Sequence, residues 1–444
     1  MQKQTYLLER LRQQFTIVLY IICLELINTY IRTFKENNLT IMNIVFVSLQ
    51  RINTDRESTS TCLAKEFAKN HKVLYINPPI DRKSLHFGEP DVFVKNHMNS
   101  IKRKEKGLSE SSANLFVLNP AAIMESINWI SNQHIFSLLN KRNNRKFAEN
   151  IQEAINELGF DSYILINDKD ILRSFYLKDI LKPALHIYLD RDYMFDHPYW
   201  KKHGIDLEPK LMEKSDIILC NSPTFTKNAL KYNQNSFYIG NGCGLDLNDN
   251  VNPGDVPEEL KNIPRPLIGY VGAITSLRLD LNLLIDIAKA RKDWNFVFVG
   301  PDDEQFSNSE LYQLPNVHYL GKIHKNKVVS YINQFDVCIN PQLINTTTIG
   351  NFPLKIIEYL LCGKPVVATA TELMLEEFKS STYLAIGVDE YIEKIEAALC
   401  EDSEIKRSER RDYVQKFSWD KIAAHILSII KEHEQKKMPV YLDT

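Results

Sequence analysis

Residues 350–369, GNFPLKIIEYLLCGKPVVAT, place a loop, a short helix and a buried strand in immediate succession. Pro353 stands where the helix begins, Gly363 where it ends, and Pro365 leads into an apolar run. Free amides at a helix start bind anions, and the helix dipole adds about half a positive charge there. Lys355 in the first turn is predicted to reach the same anion. Glu358, one turn later on the same face, is predicted to accept hydrogen bonds from the hydroxyls of a ribose.

The same two residues have a simpler interpretation. Lys355 and Glu358 are three positions apart on one helix face, and such a pair can form an exposed ion pair worth a few tenths of a kcal/mol. The residues alone leave both interpretations open.

Around this stretch, short apolar runs alternate with amphipathic helical segments, a pattern typical of parallel βαβ units. The alternation predicts two Rossmann-like α/β halves. In the second half, strands are predicted at 267–270, 296–299, 317–319, 337–339 and 366–368. In the first half, they are predicted at 44–47, 73–76, 115–118, 163–166, 186–189, 216–220 and 236–239, with helices at 58–69 and 145–158.

Domain boundaries follow from composition. Residues 250–266 are polar and proline-rich, as expected of a linker, so the domains are predicted at 42–255 and 256–418. Residues 419–444 form a C-terminal amphipathic helix and tail. Residues 1–41 are an extension whose apolar run is too short to span a membrane, so it is either an amphipathic docking helix or a non-native segment before Met42.

Bulk composition excludes several classes of function. Of 444 residues, 54 are basic and 56 acidic, so no overall positive field indicates nucleic acid. The seven cysteines form no CxxC pair and are predicted to be buried thiols in a reducing, cytoplasmic compartment. The histidines show no metal-ligand spacing, and no GxGxxG or GxxxxGK[ST] motif occurs. The basic clusters at 102–106 and 141–146 are either solvated faces or contacts to an anionic membrane surface.

Several ordered segments carry a family resemblance. IGYVGAI (268–274), WNFVFVGPDDE (294–304), LPNVHYLGKI (314–323) and FDVCINPQ (335–342), followed by PLKxxEYLxxGKPVVAT, resemble the donor half of retaining glycosyltransferase family 4, also called group 1. The order is similar to the bacterial teichuronic-acid-biosynthesis branch, and HKVLYINPP (71–79) and LMEKSDIILCNSP (211–223) extend the match upstream. The resemblance implies a GT-B fold: two Rossmann-like domains facing each other across a cleft, with the C-terminal helix returning to the N-terminal domain.

The resemblance also implies a donor site. The ribose would bind Glu358, the diphosphate would bind the 352–355 turn and Arg278, and the glycine turns would let the backbone approach phosphates and base. Each glycine could equally be an ordinary strand-end turn. The donor-binding residues implied are Gly272, Arg278, Gly300, Gly321, Phe352, Pro353, Leu354, Lys355 and Glu358, with Lys355 also catalytic.

Two departures from the family pattern concern the transferred sugar and the diphosphate. Family members commonly have an acidic residue where this chain has Gly350, and many have an Arg and a Lys after the VG turn, where this chain has Ala273 and, further on, Arg278. Polar groups for the sugar are then expected from residues 345–348 or from Asn351.

The acceptor is expected at the carboxyl ends of the first-half strands, where ligands bind in α/β folds. Arg51 and Arg56 follow the first strand, although solvated loop residues would fit there as well. Asp190 and Asp192 follow the strand at 186–189, and Asp192 is predicted to lie near the reacting centre.

These observations predict a hexosyltransferase-type glycosyltransferase. It would move a sugar from a nucleotide-sugar donor to a glycan or lipid-linked acceptor with retention, in cell-surface polysaccharide biosynthesis. It would act without cofactor or metal, in the cytoplasm or peripherally on the inner membrane surface. The alternatives are a nucleotide-sugar epimerase or phosphorylase on the same architecture, or a catalytically weak nucleotide-sugar-binding paralogue, which Gly350 makes plausible.

Overall fold

The computed structural model describes residues 41–52, 54, 58–85, 92–243, 256–346, 348 and 350–437. Within these ranges the chain forms two α/β halves, each built on its own mainly parallel sheet. Most of the predicted N-terminal extension and the stretch 244–255 lie outside the described residues, so the predicted domain boundaries there stay predictions.

In the described part of the first half, eight strands form one sheet in the order β10-β9-β8-β7-β1-β2-β5-β4. All neighbours are parallel except β4 and β5, and β3 pairs separately with β6. The strands are β1 (Asn43–Ser48), β2 (Lys72–Ile76), β3 (Ile80–Asp81), β4 (Leu108–Ser112), β5 (Leu115–Leu118), β6 (Ile123–Met124), β7 (Ile164–Asp168), β8 (Leu185–Asp190), β9 (Ile217–Cys220) and β10 (Ser236–Tyr238).

Helices connect these strands and bury their apolar residues on the sheet. The first begins where the Ser58 side chain accepts from the Thr61 amide, a capping arrangement that satisfies free amides of the first turn. The helices are α1 (Thr59–Ala68), α2 (Val92–Arg103), α3 (Gln133–Leu158), α4 (Leu177–Leu181), α5 (Pro198–Lys214) and α6 (Pro223–Ala229).

The second half contains a sheet of six described strands, all parallel, in the order β13-β12-β11-β14-β15-β16. Its strands are β11 (Leu267–Val271), β12 (Asn295–Val299), β13 (Val317–Tyr319), β14 (Val337–Asn340), β15 (Val366–Thr369) and β16 (Tyr383–Ala385). Its helices are α7 (Leu281–Ala290), α8 (Glu304–Ser307), α9 (Val328–Ile332), α10 (Leu354–Leu361), α11 (Gly387–Glu401) and α12 (Glu404–Val414), with a π-helical turn at Met374–Phe378.

The last helix, α13 (Trp419–Lys437), crosses back to the first half. Its buried isoleucines Ile422, Ile426 and Ile430 share one core with Phe46 of β1 and Leu63 of α1. The predicted return of the C-terminal helix to the N-terminal domain is therefore confirmed.

The strands predicted from apolar runs are all present, with ends shifted by one or two residues. The helix predicted at 145–158 is longer, because Asn132 caps it at its start and accepts from the amides of His134 and Ile135. β4 was not predicted because its sequence, LSESS, is polar and almost entirely exposed. β16, with three residues, was not predicted either.

Candidate active site

A cavity of about 460 Å³ lies between the two halves. Its walls come from loops that follow strands of both sheets, as expected for ligand sites at the carboxyl ends of parallel strands. From the first half they include Gln50, Ser58, Thr59, Arg191, Asp192, Asn221 and Asn241. From the second half they include Tyr270, Arg278, Thr348, Asn351 and the turn 352–355.

Three glycines lie side by side at the carboxyl ends of β11, β12 and β13. The Gly272 amide donates to the Val299 carbonyl at 2.8 Å, and the Gly300 amide donates to the Gly321 carbonyl at 2.8 Å. A Cβ at position 300 would lie 1.9 Å from the Gly272 carbonyl oxygen, so this packing requires glycine. The three predicted donor glycines are thus brought together, although none of them is among the residues that line the cavity.

Lys355 extends from the first turn of α10 directly over Gly272. A Cβ at Gly272 would lie 1.9 Å from the Lys355 Nζ and 2.1 Å from its Cε. The glycine therefore makes room for the lysine, a reason that the sequence did not reveal. The Nζ lies 5.6 Å from the centroid of the Tyr270 ring, and this cation–π contact leaves its hydrogen-bonding capacity free.

Lys355 and Glu358 do not form the ion pair that the simpler interpretation expects. Among the described residues neither side chain has an ion-pair or hydrogen-bond partner, and both are half-buried. Burial lowers the pKa of Lys355, and the nearby Glu358 partly offsets this. Burial raises the pKa of Glu358, and Lys355 partly offsets that. Partly buried ionisable side chains without a fixed partner are candidates for ligand binding.

The start of α10 differs in one respect from the expected row of free amides. The Leu354 amide donates to the Phe352 carbonyl at 3.0 Å, and the Ile356 amide donates to the Pro353 carbonyl at 2.9 Å. The Phe352 ring is buried and packs edge-on against Phe378 and Phe417. The turn is thus anchored in the core, and two of its amides are already paired with backbone carbonyls.

Arg278 supplies a second cation at the cavity. Its side chain is exposed, lines the cavity and has no carboxylate partner among the described residues. The Leu343 amide donates to the Arg278 carbonyl at 2.8 Å, which ties the Arg278 loop to the segment that follows β14. Lys355 and Arg278 therefore place two cationic side chains at the second-half wall, close to the single carboxylate of Glu358.

On the opposite wall, Arg191 and Asp192 follow β8. The Arg191 Nη1 donates to Asp192 at 2.9 Å, and the Asp192 carboxylate is 57% exposed at the cavity. Asp192 therefore reaches the cleft as predicted, while its catalytic role stays a prediction.

Asp190 does not face an acceptor, which corrects its predicted position. Its side chain is buried and forms an ion pair with Lys169, which also pairs with Glu208 at 2.7 Å. Burial raises the pKa of Asp190 to about 6, against the opposing effect of Lys169. The last residue of β8 points into the first half, because side chains alternate along a strand.

A buried polar network lies beneath Arg191, and the sequence analysis missed it. The fully buried Asp168 at the end of β7 accepts from the Arg191 Nε and, at 2.9 Å, from its Nη2. The Ser48 hydroxyl at the end of β1 donates to Asp168 at 2.7 Å and accepts from the Gln50 amide at 3.0 Å. The network holds Arg191 and Gln50 in fixed positions at the cavity. The sequence signal was the polar pair Asn167 and Asp168 immediately after the apolar run of a central strand.

A second cavity of about 660 Å³ adjoins the first, and Gln50 lines both. Its polar lining includes Arg51, Asp81 and Arg173, the last paired with Asp170 at 3.1 Å. Pro78, Pro79 and Phe93 contribute apolar walls. Arg51 thus lies where an acceptor was expected, and its Nη2 donates to the Pro78 carbonyl at 3.1 Å. Arg56, the other predicted acceptor residue of this loop, lies outside the described residues.

Comparison with known proteins gives matches to the second half and to the fold. Residues 265–401 match the family model described as glycosyl transferases group 1. A glycosyltransferase assigned to teichuronic acid biosynthesis, TuaH of Bacillus subtilis (strain 168), is 27% identical over 232 residues, which are 50% of this chain and 58% of that protein. The match therefore spans less than two thirds of that relative.

Solved structures share the fold across most of the chain. Sucrose-phosphate synthase from Thermosynechococcus elongatus superposes with a TM-score of 0.59 at 15% identity, covering 89% of this chain and 100% of that one. The Anabaena protein Alr3699/HepE in complex with UDP superposes with a TM-score of 0.58 at 15% identity, covering 88% of this chain and 100% of that one. The chain has a GT-B fold. The predictions of this fold and of a glycosyltransferase domain are confirmed.

In this GT-B chain, the absence of an acidic residue at position 350 has a structural reason. A Cβ at Gly350 would lie 2.5 Å from the Cζ of Phe225, which belongs to α6 of the first half. The two halves thus meet at this glycine, and a carboxylate has no room in this arrangement. Thr348 and Asn351, which were expected to supply polar groups, do line the cavity.

Two further observations concern metals and membranes. No group of three or more His, Cys, Asp or Glu side chains is arranged to hold a metal ion in the ranges that the structure describes. In the same ranges, none of the helices combines the length and the apolar character needed to cross a membrane.

Proposed function

We propose that this chain transfers a sugar from a nucleoside-diphosphate sugar to a glycan or lipid-linked acceptor, with retention of configuration and without a cofactor. The observation that carries the proposal is the unpaired Lys355 over Gly272, beside the unpaired Arg278, in a cavity between two Rossmann-like halves. Two cations without carboxylate partners among the described residues suit a diphosphate.

The donor would lie along the second half. Its diphosphate would contact Lys355 and Arg278, its ribose hydroxyls would donate to Glu358, and its base would lie near Gly300 and Gly321. The Anabaena Alr3699/HepE structure, which has the same fold, contains UDP. This supports uridine diphosphate as the first nucleotide to test.

Cleavage of the glycosidic bond leaves negative charge on the departing diphosphate. Lys355 and Arg278 would stabilise that charge, and positioned charges of this kind lower the barrier without reorganisation. The departing phosphate would take the proton from the acceptor hydroxyl on the same face, which accounts for retention. Asp192 and Arg191 would orient the acceptor from the opposite wall.

The acceptor would enter through the second cavity, because Gln50 joins it to the donor cavity. Its arginines and apolar walls fit a polar or charged glycan as well as a lipid-linked one. The assignment of TuaH to teichuronic acid biosynthesis supports a place in polysaccharide biosynthesis. The chain would act in the cytoplasm or at the cytoplasmic face of the membrane.

Acceptor-dependent release of nucleotide tests the proposal. The purified chain is incubated with UDP-sugars, with and without a panel of glycan and lipid-linked acceptors. Lys355→Met should lower turnover by at least about 100-fold, because a positioned charge at the leaving group is removed. Lys289→Met, at an exposed lysine that pairs with Glu310 on the outer face of α7, is the matched control and should retain activity.

Other outcomes distinguish the alternatives. Conversion of the nucleotide sugar without acceptor would indicate an epimerase. UDP binding without turnover on any acceptor would indicate a binding paralogue. Unfolding of both Lys355→Met and Glu358→Gln would indicate that these residues serve the structure and not the donor.

A further inference from the structure

Tyr359 makes an unusual pair of hydrogen bonds next to the proposed donor site. It lies in the middle of α10, and its side chain is completely buried. Its hydroxyl accepts from the Val271 amide at 2.9 Å and donates to the Val271 carbonyl at 3.3 Å. One side chain thus satisfies both backbone groups of the last residue of β11.

The pairing of the strands explains why Val271 needs a side-chain partner. β11 pairs with β12 as far as Val271, but it pairs with β14 only through Ile268 and Gly269. On the β14 side, the amide and carbonyl of Val271 therefore lack a strand partner among the described residues. Buried backbone groups without partners are costly, and the Tyr359 hydroxyl takes the place of the missing strand.

The same helix face carries the lysine of the donor site. Lys355 precedes Tyr359 by four residues, so the two side chains lie one above the other on α10. Tyr359 bonds to Val271, and Lys355 covers the next residue, Gly272. Val271 and Gly272, at the end of β11, are therefore contacted by side chains from two consecutive turns of α10.

We propose that Tyr359 is a positioning residue that fixes the height of the Lys355 amine above Gly272 and so shapes the diphosphate site. This inference rests on the proposed function. Without the two hydrogen bonds, α10 can shift along the end of β11, and the amine leaves its place over the glycine.

Tyr359→Phe in the full chain removes only the hydroxyl. Affinities for UDP and UMP are measured by calorimetry, together with thermal unfolding. We expect affinity for UDP to fall about tenfold, because small misplacements of a positioned group are costly. Affinity for UMP should change less than about twofold, because it lacks the second phosphate. A general loosening of the fold would weaken both ligands alike.

Tyr163→Phe is the matched control. Tyr163 is also buried, and its hydroxyl donates to the backbone carbonyl of Leu181 at 2.8 Å in the first half. The Tyr163→Phe variant should have a lower unfolding temperature and an unchanged ratio of UDP to UMP affinity. If Tyr359→Phe also lowered the unfolding temperature without changing this ratio, the proposal would be overturned.

A double-mutant cycle separates action through Lys355 from independent action. In a Lys355→Met background, Tyr359→Phe should change UDP affinity less than about twofold, because the group that it positions is already absent. A full tenfold loss in that background would contradict a role through Lys355.

The natural chain supplies a test that does not depend on the stability of a variant. Saturating UDP should slow hydrogen exchange at the Val271 amide more than at Ile268. Unchanged exchange at Val271, with UDP bound, would overturn the role of Tyr359 and leave the proposed function standing. Absence of UDP binding to the natural chain would instead overturn the proposed function, and this inference with it.

Discussion

At the residue scale, Gly272 shows how one missing side chain shapes the site. Its φ of 147° lies in a region that favours glycine, and the space that a Cβ would need is filled by the Lys355 side chain. The position of the lysine therefore depends on the glycine, because any side chain at residue 272 would occupy the same space.

We predict that Gly272→Ala weakens UDP binding about tenfold or more, because the new Cβ displaces the Lys355 amine. Binding is measured by calorimetry or by the thermal shift, since a ligand at 100 times its dissociation constant adds about 2.7 kcal/mol of stability. Gly387→Ala is the control: Gly387 also has a positive φ, of 76°, but a Cβ there meets no atom within 4 Å. Equal loss of binding in both variants would show that backbone strain alone is responsible.

At the element scale, β8 contains a buried histidine without a hydrogen-bond partner. His186 is completely buried, and neither of its ring nitrogens has a partner among the described residues. Burial lowers the pKa of His186 to about 3. This histidine is therefore neutral in the folded chain.

The neutral histidine predicts a pH dependence of stability. Between pH 6.5 and 3 the unfolded chain binds a proton at His186 that the folded chain does not, so the free energy of unfolding falls as pH falls through this range. The slope from one such group is at most about 1.4 kcal/mol per pH unit. The pKa of His97, lowered to about 4 chiefly by burial, acts in the same direction.

His186→Leu should reduce this slope and leave stability at pH 7.5 unchanged or higher, because no hydrogen bond to a described residue is lost. Denaturant midpoints at pH 7.5 and 5 for both proteins measure the effect. An unchanged slope in the variant would show that His186 is protonated in the folded chain.

At the scale of the whole molecule, individual side chains join the two halves in addition to the core that α13 shares with the first half. Phe225 lies against Gly350, the Tyr238 hydroxyl donates to Glu377 at 3.2 Å, and Lys227 pairs with Glu376 at 3.2 Å. The ion pair is exposed and contributes little, whereas Phe225 and Gly350 are both buried and in close contact.

We predict that Gly350→Ala forces the halves apart or displaces Phe225, and that it lowers turnover while leaving the core of each half folded. Small-angle scattering should show a larger radius, and UDP binding should persist because Lys355 and Arg278 lie in one half. Adding Phe225→Leu should restore compactness by removing the obstructing ring atoms. A Gly350→Ala protein with unchanged scattering and turnover would contradict this role of the contact.

The sequence by itself determined most of the strands and helices and the turn at the start of α10. The strands, the helix that carries Lys355 and Glu358, and the glycine turns depend on local patterns of apolar, polar and glycine residues, which hold before the chain is folded. The C-terminal helix was also predictable, through its isoleucine spacing and the family resemblance.

Only the tertiary structure decided which groups meet across the fold. Asp168 and Arg191 are 23 residues apart, Val271 and Tyr359 are 88 apart, and Gly350 meets Phe225 of the other half. The burial of Asp190 likewise depends on Lys169 and Glu208, which other segments bring to it. Such contacts arise from the packing of distant segments, and a local sequence pattern contains no information about the partner across the core.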